Sequence, residues 1–245
     1  MNKNAQDDKF IPELVTPHAE SILVIDDDPH ICEMVTIKLE QAGYKVFSAG
    51  SVNNAMDLIR KFGLPHLAIV DIHMPERSGL DFCAEILAYS DLPIMMLTAD
   101  DDLSTIIESI ERYAEDYIVK PFNLNELLVR VRRVLRRVVD TDYAMAPQQR
   151  IDNNLTVNIA AQAIYIDEAE RKLTPTESKL LHILLQHRNT VVRTDYLLKR
   201  IWPNEEIFED TLRVHIHRLR QKLNASEQKH SYIVTERGVG YRFIG

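Results

Sequence analysis

The stretch His66-Leu67-Ala68-Ile69-Val70-Asp71-Ile72-His73-Met74-Pro75 constrains this chain more than any other. An unbroken apolar run ends on one carboxylate, Asp71, and Pro75 stops the strand from continuing. A strand this apolar suits a parallel sheet covered on both faces, and open sheets of that kind bind ligands at the carboxyl ends of their strands. A second run, Ile22-Leu23-Val24-Ile25, delivers Asp26, Asp27 and Asp28 in the same way. Two such strands side by side gather several carboxylates at one edge. Like charges at close range push pKa values up unless a cation neutralises them, and hard oxygen ligands around a small open site suit Mg²⁺. These residues predict an acidic, metal-dependent phosphoryl-transfer pocket with Asp71 as nucleophile.

The surrounding sequence alternates strand and helix patterns. A strand at 22–26 precedes a helix at 29–42, with Ile31, Val35 and Leu39 on one face and Gly43 ending it. A strand at 45–48 and a helix at 52–62 follow; the Asp71 strand leads to a helix at 79–89, and Pro93 to Thr98 read as a fourth buried strand. A helix at 102–112, a strand at 117–119 and a helix at 123–138 complete five units. The expected fold is α/β: a five-stranded parallel, doubly wound domain over 21–138. Residues 1–20 lack periodicity and are expected to form a flexible N-terminal extension. Residues 139–149 have no apolar period and contain Pro147, so they read as a linker.

Residues 150–245 read as a second, α+β domain. Strands are expected near 155–158, 163–166 and 171–173. Thr174-Pro175-Thr176-Glu177 then opens a helix as a capping box with proline at its first position. Further helices are expected at 194–201 and 210–223, and a closing hairpin turns at Gly238-Val239-Gly240.

Charge divides the same way. The formal net charge of −8 is not shared evenly: residues 1–137 hold 14 Lys+Arg against 23 Asp+Glu, and residues 138–245 hold 15 against 14. An acidic half joined to a locally basic one implies two domains with different partners. No apolar run approaches the roughly 20 residues that span a bilayer, and no secretory apolar segment begins the chain, so a cytoplasmic protein without a membrane partner is expected. Cys32 and Cys83 show no metal-ligand spacing and read as reduced, packed thiols.

Taken singly, each acidic-pocket motif has a bland reading: a solvated strand end at Asp26-Asp27, a helix cap at Asp71, a turn former at Thr98, a surface charge at Lys120. In order they are specific. Apolar strand-Asp26-Asp27, Asp71-x-x-Met74-Pro75, Thr98-Ala99 and Tyr117-Ile118-Val119-Lys120-Pro121-Phe122 match the receiver pattern. Residues 21–138 resemble the receiver domain of two-component response regulators and 150–245 resemble a winged-helix effector, together the OmpR/PhoB subfamily. A haloacid-dehalogenase-type phosphatase would need a second acid two residues after its nucleophile, where this chain has His73.

The resemblance implies the following roles. Asp71 accepts a phosphoryl group from a partner sensor histidine kinase; the protein is a regulator, not an enzyme in the usual sense. Asp27 and Asp71 hold Mg²⁺ directly, Asp26 acts through a water, and His73 lends its backbone carbonyl. Lys120 and Thr98 hold phosphoryl oxygens, Lys120-Pro121 is a cis peptide, and Thr98 with Tyr117 forms the switch. Phosphorylation promotes a homodimer through 102–137, where Glu115 and Asp116 would pair with Arg130 and Arg133 of the second subunit. Two departures mark that face: Ile106 where a basic partner for Glu126 is usual, and Tyr113 where glycine is usual. The rival from another class is a phosphate-independent DNA-binding protein whose receiver serves only as a constitutive dimer module.

The helix at 210–223 carries Leu212, Ile216, Leu219 and Leu223 as an apolar stripe, and no acid interrupts Arg213 to Lys222. By resemblance it is the recognition helix for double-stranded DNA with tandem half-sites. His217 and Arg218 are candidates for base edges. His215, Arg220, Thr235 and Arg193 read as phosphate contacts, Arg213 as an additional one, and Arg237 as the wing residue for the minor groove. The acidic loop Pro203 to Glu209 would face RNA polymerase, with Trp202 read as core.

Overall fold

Five apolar runs become five parallel strands: β1 (Ser21–Ile25), β2 (Lys45–Ala49), β3 (Leu67–Asp71), β4 (Ile94–Ala99) and β5 (Asp116–Lys120), in the order β2-β1-β3-β4-β5. The computed structural model describes residues 20–99, 113–138, 147–203, 205–224 and 231–245. The expected N-terminal extension (all but Glu20), the helix at 102–112 with Ile106, and residues 139–146 of the linker lie outside that range.

Successive side chains of a strand point to opposite faces, and each face acquires its own core. On one, Ile22, Val24, Leu67 and Ile69 pack with Val35 and Leu39 of α1 (Pro29–Gln41) and with Leu127 and Val131 of α4 (Leu124–Val138). On the other, Leu23, Ile25, Ala68 and Val70 pack with Ile59 of α2 (Val52–Phe62) and with Phe82 and Ile86 of α3 (Gly79–Tyr89). Fully burying each of the Val, Leu, Ile and Phe side chains is worth about 1.5–3 kcal/mol, which makes this two-faced sheet the rigid base of the receiver half. The helix stops match their signals: Gly43, at φ 94°, follows α1, and its N–H reaches the Glu40 carbonyl at 2.9 Å.

The second half holds an antiparallel sheet of β6 (Gln149–Arg150), β7 (Leu155–Asn158), β8 (Ala163–Ile166) and β9 (Ala169–Lys172). Three helices follow, α5 (Pro175–Gln186), α6 (Thr194–Ile201) and α7 (Glu209–Leu223). A smaller sheet orders β10 (Val192–Arg193), β12 (Gly240–Phe243) and β11 (Ile233–Glu236). The expected capping box is present: Glu177 N–H donates to Thr174 Oγ1 at 3.3 Å, and Thr174 N–H donates to the Glu177 carboxylate at 2.8 Å. Three strands depart from expectation. Gln149 and Arg150 pair with Val157 and Thr156, so a strand begins at the end of the stretch read as linker. β9 is mostly exposed and is set by its ladder to β8, not by apolar alternation, and β10 is two residues long.

The halves meet where α3 packs on α5. No helix among the described residues is long and apolar enough to cross a membrane.

Candidate functional site

Strand register assembles the acidic pocket. Ile25 lies beside Val70, so Asp26 and Asp71 leave adjacent strand ends together; Asp71 is level with Leu97, Thr98 with Val119 and Ala99 with Lys120. Asp26, Asp71 and Thr98 are buried, and Asp27 is exposed at the mouth. The Lys120 ammonium lies 2.8 Å from Asp26 Oδ2 and 3.0 Å from Asp71 Oδ2. The Lys120-Pro121 peptide that follows is cis.

Burial pushes the Asp71 carboxyl above its ordinary pKa; the Lys120 ammonium offsets part of that, Asp26 adds to it, and the His73 backbone N–H bond lowers it slightly. Burial also pulls Lys120 down, but its bonds to Asp26 and Asp71 outweigh this and hold it above its ordinary value. Lys120 therefore stays charged. Three carboxylates against one ammonium leave the pocket negative, and ligand oxygens of Asp26, Asp27 and Asp71 all lie within 4.8 Å of one another. All-oxygen donors, an exposed third carboxylate and residual negative charge fit a hydrated Mg²⁺.

Three supports of the pocket escaped the sequence reading. Asp28 is the N-cap of α1: its carboxylate accepts from His30 N–H at 2.8 Å, while its own N–H donates to Asp26 Oδ1 at 3.0 Å. Cys32 Sγ donates to the Asp26 carbonyl at 3.3 Å. Gly79 opens α3 directly against the pocket floor, where a Cβ would sit 2.1 Å from the Asp71 carbonyl oxygen. A glycine at the first position of a helix, where almost any residue is tolerated, was the available signal for that close approach.

Tyr117, the expected switch aromatic, lies on β5 with its ring outward, 43% exposed. The expected dimer charges are engaged within the chain. Asp116 pairs with Arg130 at 3.1 Å and Arg133 at 3.0 Å, and Glu126 pairs with Arg130 at 2.8 Å. Glu115 pairs with Arg200 of α6 at 2.5 Å. Glu115 and Asp116, expected to reach a second subunit, thus have partners in their own chain, on α6 and α4, which tertiary packing brings beside them.

A second site lies on α7 and the β11–β12 hairpin. His217, Arg218 and Arg237 are exposed. Arg193, Arg213 and Thr235 line one cleft of about 280 Å³ between α6, α7 and the hairpin. Other side chains proposed from the sequence turn inward. Arg220 donates to the Ile233 carbonyl at 2.9 Å and to Thr235 Oγ1 at 2.8 Å, over the Tyr241 ring, and so ties α7 to the hairpin. His215 is half-buried with its ring 5.4 Å from Trp202, and burial, then Arg218, hold its imidazole below the ordinary pKa. Arg213 forms ion pairs with Glu209 at 3.2 Å and Asp210 at 3.0 Å on its own helix. Trp202 packs against the core, as read.

Residues 22–132 match the family described as response regulator receiver domain, and 168–243 match transcriptional regulatory protein, C terminal. The chain is similar to the regulatory protein VanR of Enterococcus faecium, 34% identical over 228 residues, covering 91% of this chain and 98% of that one. It is also 34% identical over 224 residues to the transcriptional regulatory protein KdpE of Mycobacterium tuberculosis, with the same coverage of each chain.

Proposed function

The chain belongs to the OmpR/PhoB family of DNA-binding response regulators, and from that premise we propose that Asp71 is its phosphoacceptor and α7 its DNA-reading helix. The observation that carries the first assignment is the Lys120 ammonium held between Asp26 at 2.8 Å and Asp71 at 3.0 Å on neighbouring strand ends. An Asp71 oxygen attacks the phosphorus of a kinase phosphohistidine. The new P–O bond forms as the P–N bond breaks, and the imidazole leaves with the electron pair. Asp27, Asp71 and the His73 carbonyl would hold Mg²⁺, with Asp26 acting through a water; such an ion, when bound, neutralises charge on the transferring group. Lys120 exchanges its Asp71 bond for a phosphoryl oxygen, and Thr98 donates its hydroxyl to another. Tyr117 turns into the space that Thr98 vacates.

The phosphorylated receiver dimerises through 102–137, with Glu115, Asp116, Arg130 and Arg133 exchanging intrachain for interchain partners. The Asp116 carboxylate is buried, so it must stay paired throughout the exchange, which sets register more than affinity. On DNA, His217 and Arg218 face base edges, Arg193, Thr235 and Arg237 face the backbone and minor groove, and Arg213 adds a weaker phosphate contact. The loop before α7, with Phe208 exposed at its end, faces RNA polymerase.

The test is phosphorylation by a small phosphodonor with Mg²⁺. Label on wild type that chelator or Asp27→Ala abolishes is expected. Undiminished label in excess chelator would overturn the metal reading of the pocket; no label at all beside unaltered DNA binding would favour a constitutive dimer module.

A further inference from the structure

The end of the parallel sheet opposite the acidic pocket carries a groove that neither phosphoryl transfer nor DNA reading uses. Glu20, Tyr44 and four residues of α4, Val129, Arg132, Leu135 and Arg136, line its volume of about 370 Å³. The four α4 residues share one stripe at helical spacing, while Leu127, Val131 and Val134 face the core. The groove is apolar at its centre, where the Tyr44 ring and Leu135 meet Val129, which is 64% exposed. Burial raises the Tyr44 hydroxyl, which is bonded to the Arg132 guanidinium, and raises the Glu20 carboxyl. The rim is cationic. Arg130 and Arg133 are committed to Asp116 and Glu126, whereas no carboxylate among the described residues pairs with Arg132 or Arg136.

The chain itself supplies a matching occupant. Residues 1–19, outside the described range, end beside Glu20, whose side chain lines the groove and whose carbonyl accepts from Lys45 N–H at 2.9 Å. Apart from Met1, their large apolar side chains, Phe10, Ile11, Leu14 and Val15, all fall within 10–15. Asp7 and Asp8 precede that cluster and Glu13 sits inside it. Apolar side chains with interleaved acids complement an apolar groove with a cationic rim. The receiver half is acidic as a whole and repels an acidic segment at long range, so only a local pair such as Arg132 and Arg136 can attract one. The reach is sufficient: from Glu20 back to Val15 the chain spans up to about 18 Å, and the Val129 to Arg136 stripe is only about 10 Å long.

We propose that residues 10–15 dock in this groove of their own receiver, laying apolar side chains over Tyr44, Val129 and Leu135 and bringing their acids to Arg132 and Arg136. Tethered through so few residues, the segment meets the groove at an effective concentration in roughly the millimolar range. A contact too weak to hold a free peptide therefore suffices in the intact chain. The extension acts as an internal ligand that covers Val129 and keeps other apolar segments off α4.

The test places a photo-crosslinking residue in the full chain as Phe10→benzoylphenylalanine. Irradiation of dilute protein should join it to Tyr44 or to residues 129–136 of the same chain, located by peptide mass, in a yield independent of protein concentration. Val129→Glu should lower that yield about tenfold, the factor for losing one buried apolar contact. Arg136→Glu should lower it as well, by reversing the charge of the rim. Both positions are exposed, so both variants should keep the parent circular dichroism; should one lose it, the other carries the test. A yield that neither substitution moves overturns the groove as the site. Crosslinks elsewhere, or none above those of Asn2→benzoylphenylalanine, overturn docking of 10–15 altogether. Crosslinks between two chains that rise with concentration give the groove to a second copy and overturn docking within one chain.

Discussion

Asp71 occupies a place where a negative charge is costly. Its carboxyl is raised chiefly by burial and only partly relieved by Lys120 at 3.0 Å. A folded-state pKa above the unfolded one means the folded chain binds that proton more tightly. The ionised group therefore costs stability at neutral pH, and the cost fades as pH falls through the raised value. Asp71→Asn should abolish labelling and raise stability by roughly 0.5–2 kcal/mol, the usual exchange of function for stability at a strained site; a lower melting temperature would point to a structural cap instead. On DNA, the two arginines should part company. Arg218→Ala should cost about 1–3 kcal/mol on specific duplex and little on scrambled duplex. Arg220→Ala, whose guanidinium braces the hairpin, should lower the melting temperature of the second domain and weaken both duplexes together. Titrations across salt on both duplexes, beside thermal melts, separate base reader from brace. Asp26 and Asp71 were legible as carboxylates at the ends of apolar strands, while Thr98 and Lys120 were legible only through the resemblance to the receiver pattern; the register brings all four together. The bracing role of Arg220 was not, since its partners Ile233 and Thr235 meet it only after the hairpin folds back.

Element by element, α5 shows both what sequence reveals and what it hides. Its start was legible, because a capping box is a local device confined to Thr174 through Glu177. Its burial was not: the Ser178, Lys179, His182 and Gln186 stripe reads as a solvated face until α3 covers it. β6 and β10 were missed because each is only two residues long and is defined by its ladder, β6 to the neighbouring β7 and β10 to the distant β12. Burial, aided by the nearby Arg200 and Lys179 charges, depresses His182 from 6.5 to about 3. Its Nδ1 accepts from Asp91 N–H, which fixes the neutral ring with its proton on Nε2. Above pH 6.5 neither state is protonated there and stability is unaffected. Below it the unfolded chain takes up a proton that the folded one refuses down to about pH 3. Stability should fall by about 1.4 kcal/mol per pH unit across that window from this group alone. Comparing chemical denaturation of wild type and His182→Gln between pH 7 and 4.5 checks it. A slope that the substitution leaves unchanged would assign the loss to the carboxylates.

At the scale of the whole molecule, the chain joins an acidic receiver half to a second half near neutrality with an exposed basic helix. The surplus of Asp and Glu over residues 1–137 opposes self-association at low salt, where screening is weak. Phosphorylation adds further negative charge, so any dimer it promotes must gain from specific contacts on the 102–137 face and not from the global field. Two receivers related by a two-fold axis would present their DNA-binding domains head to head, whereas tandem half-sites need them in the same direction. The stretch 139–148, between α4 and β6, would span on the order of 35 Å if fully extended, comparable with one helical turn of DNA and enough to absorb the mismatch. Half-sites about 10–11 base pairs apart should therefore be occupied together. Joining two modules makes the second binding event intramolecular, with avidity gains of roughly 10²–10⁴ without a new DNA contact. Phosphorylation should accordingly tighten binding to a tandem duplex many-fold and leave a single half-site duplex almost unchanged. By linkage, tandem duplex should favour the dimer by the same factor. Inserting five base pairs between the half-sites turns one to the opposite side of the helix and should erase the gain. Equal tightening on single and tandem duplexes would mean that phosphorylation acts on the DNA-binding surface of each chain separately.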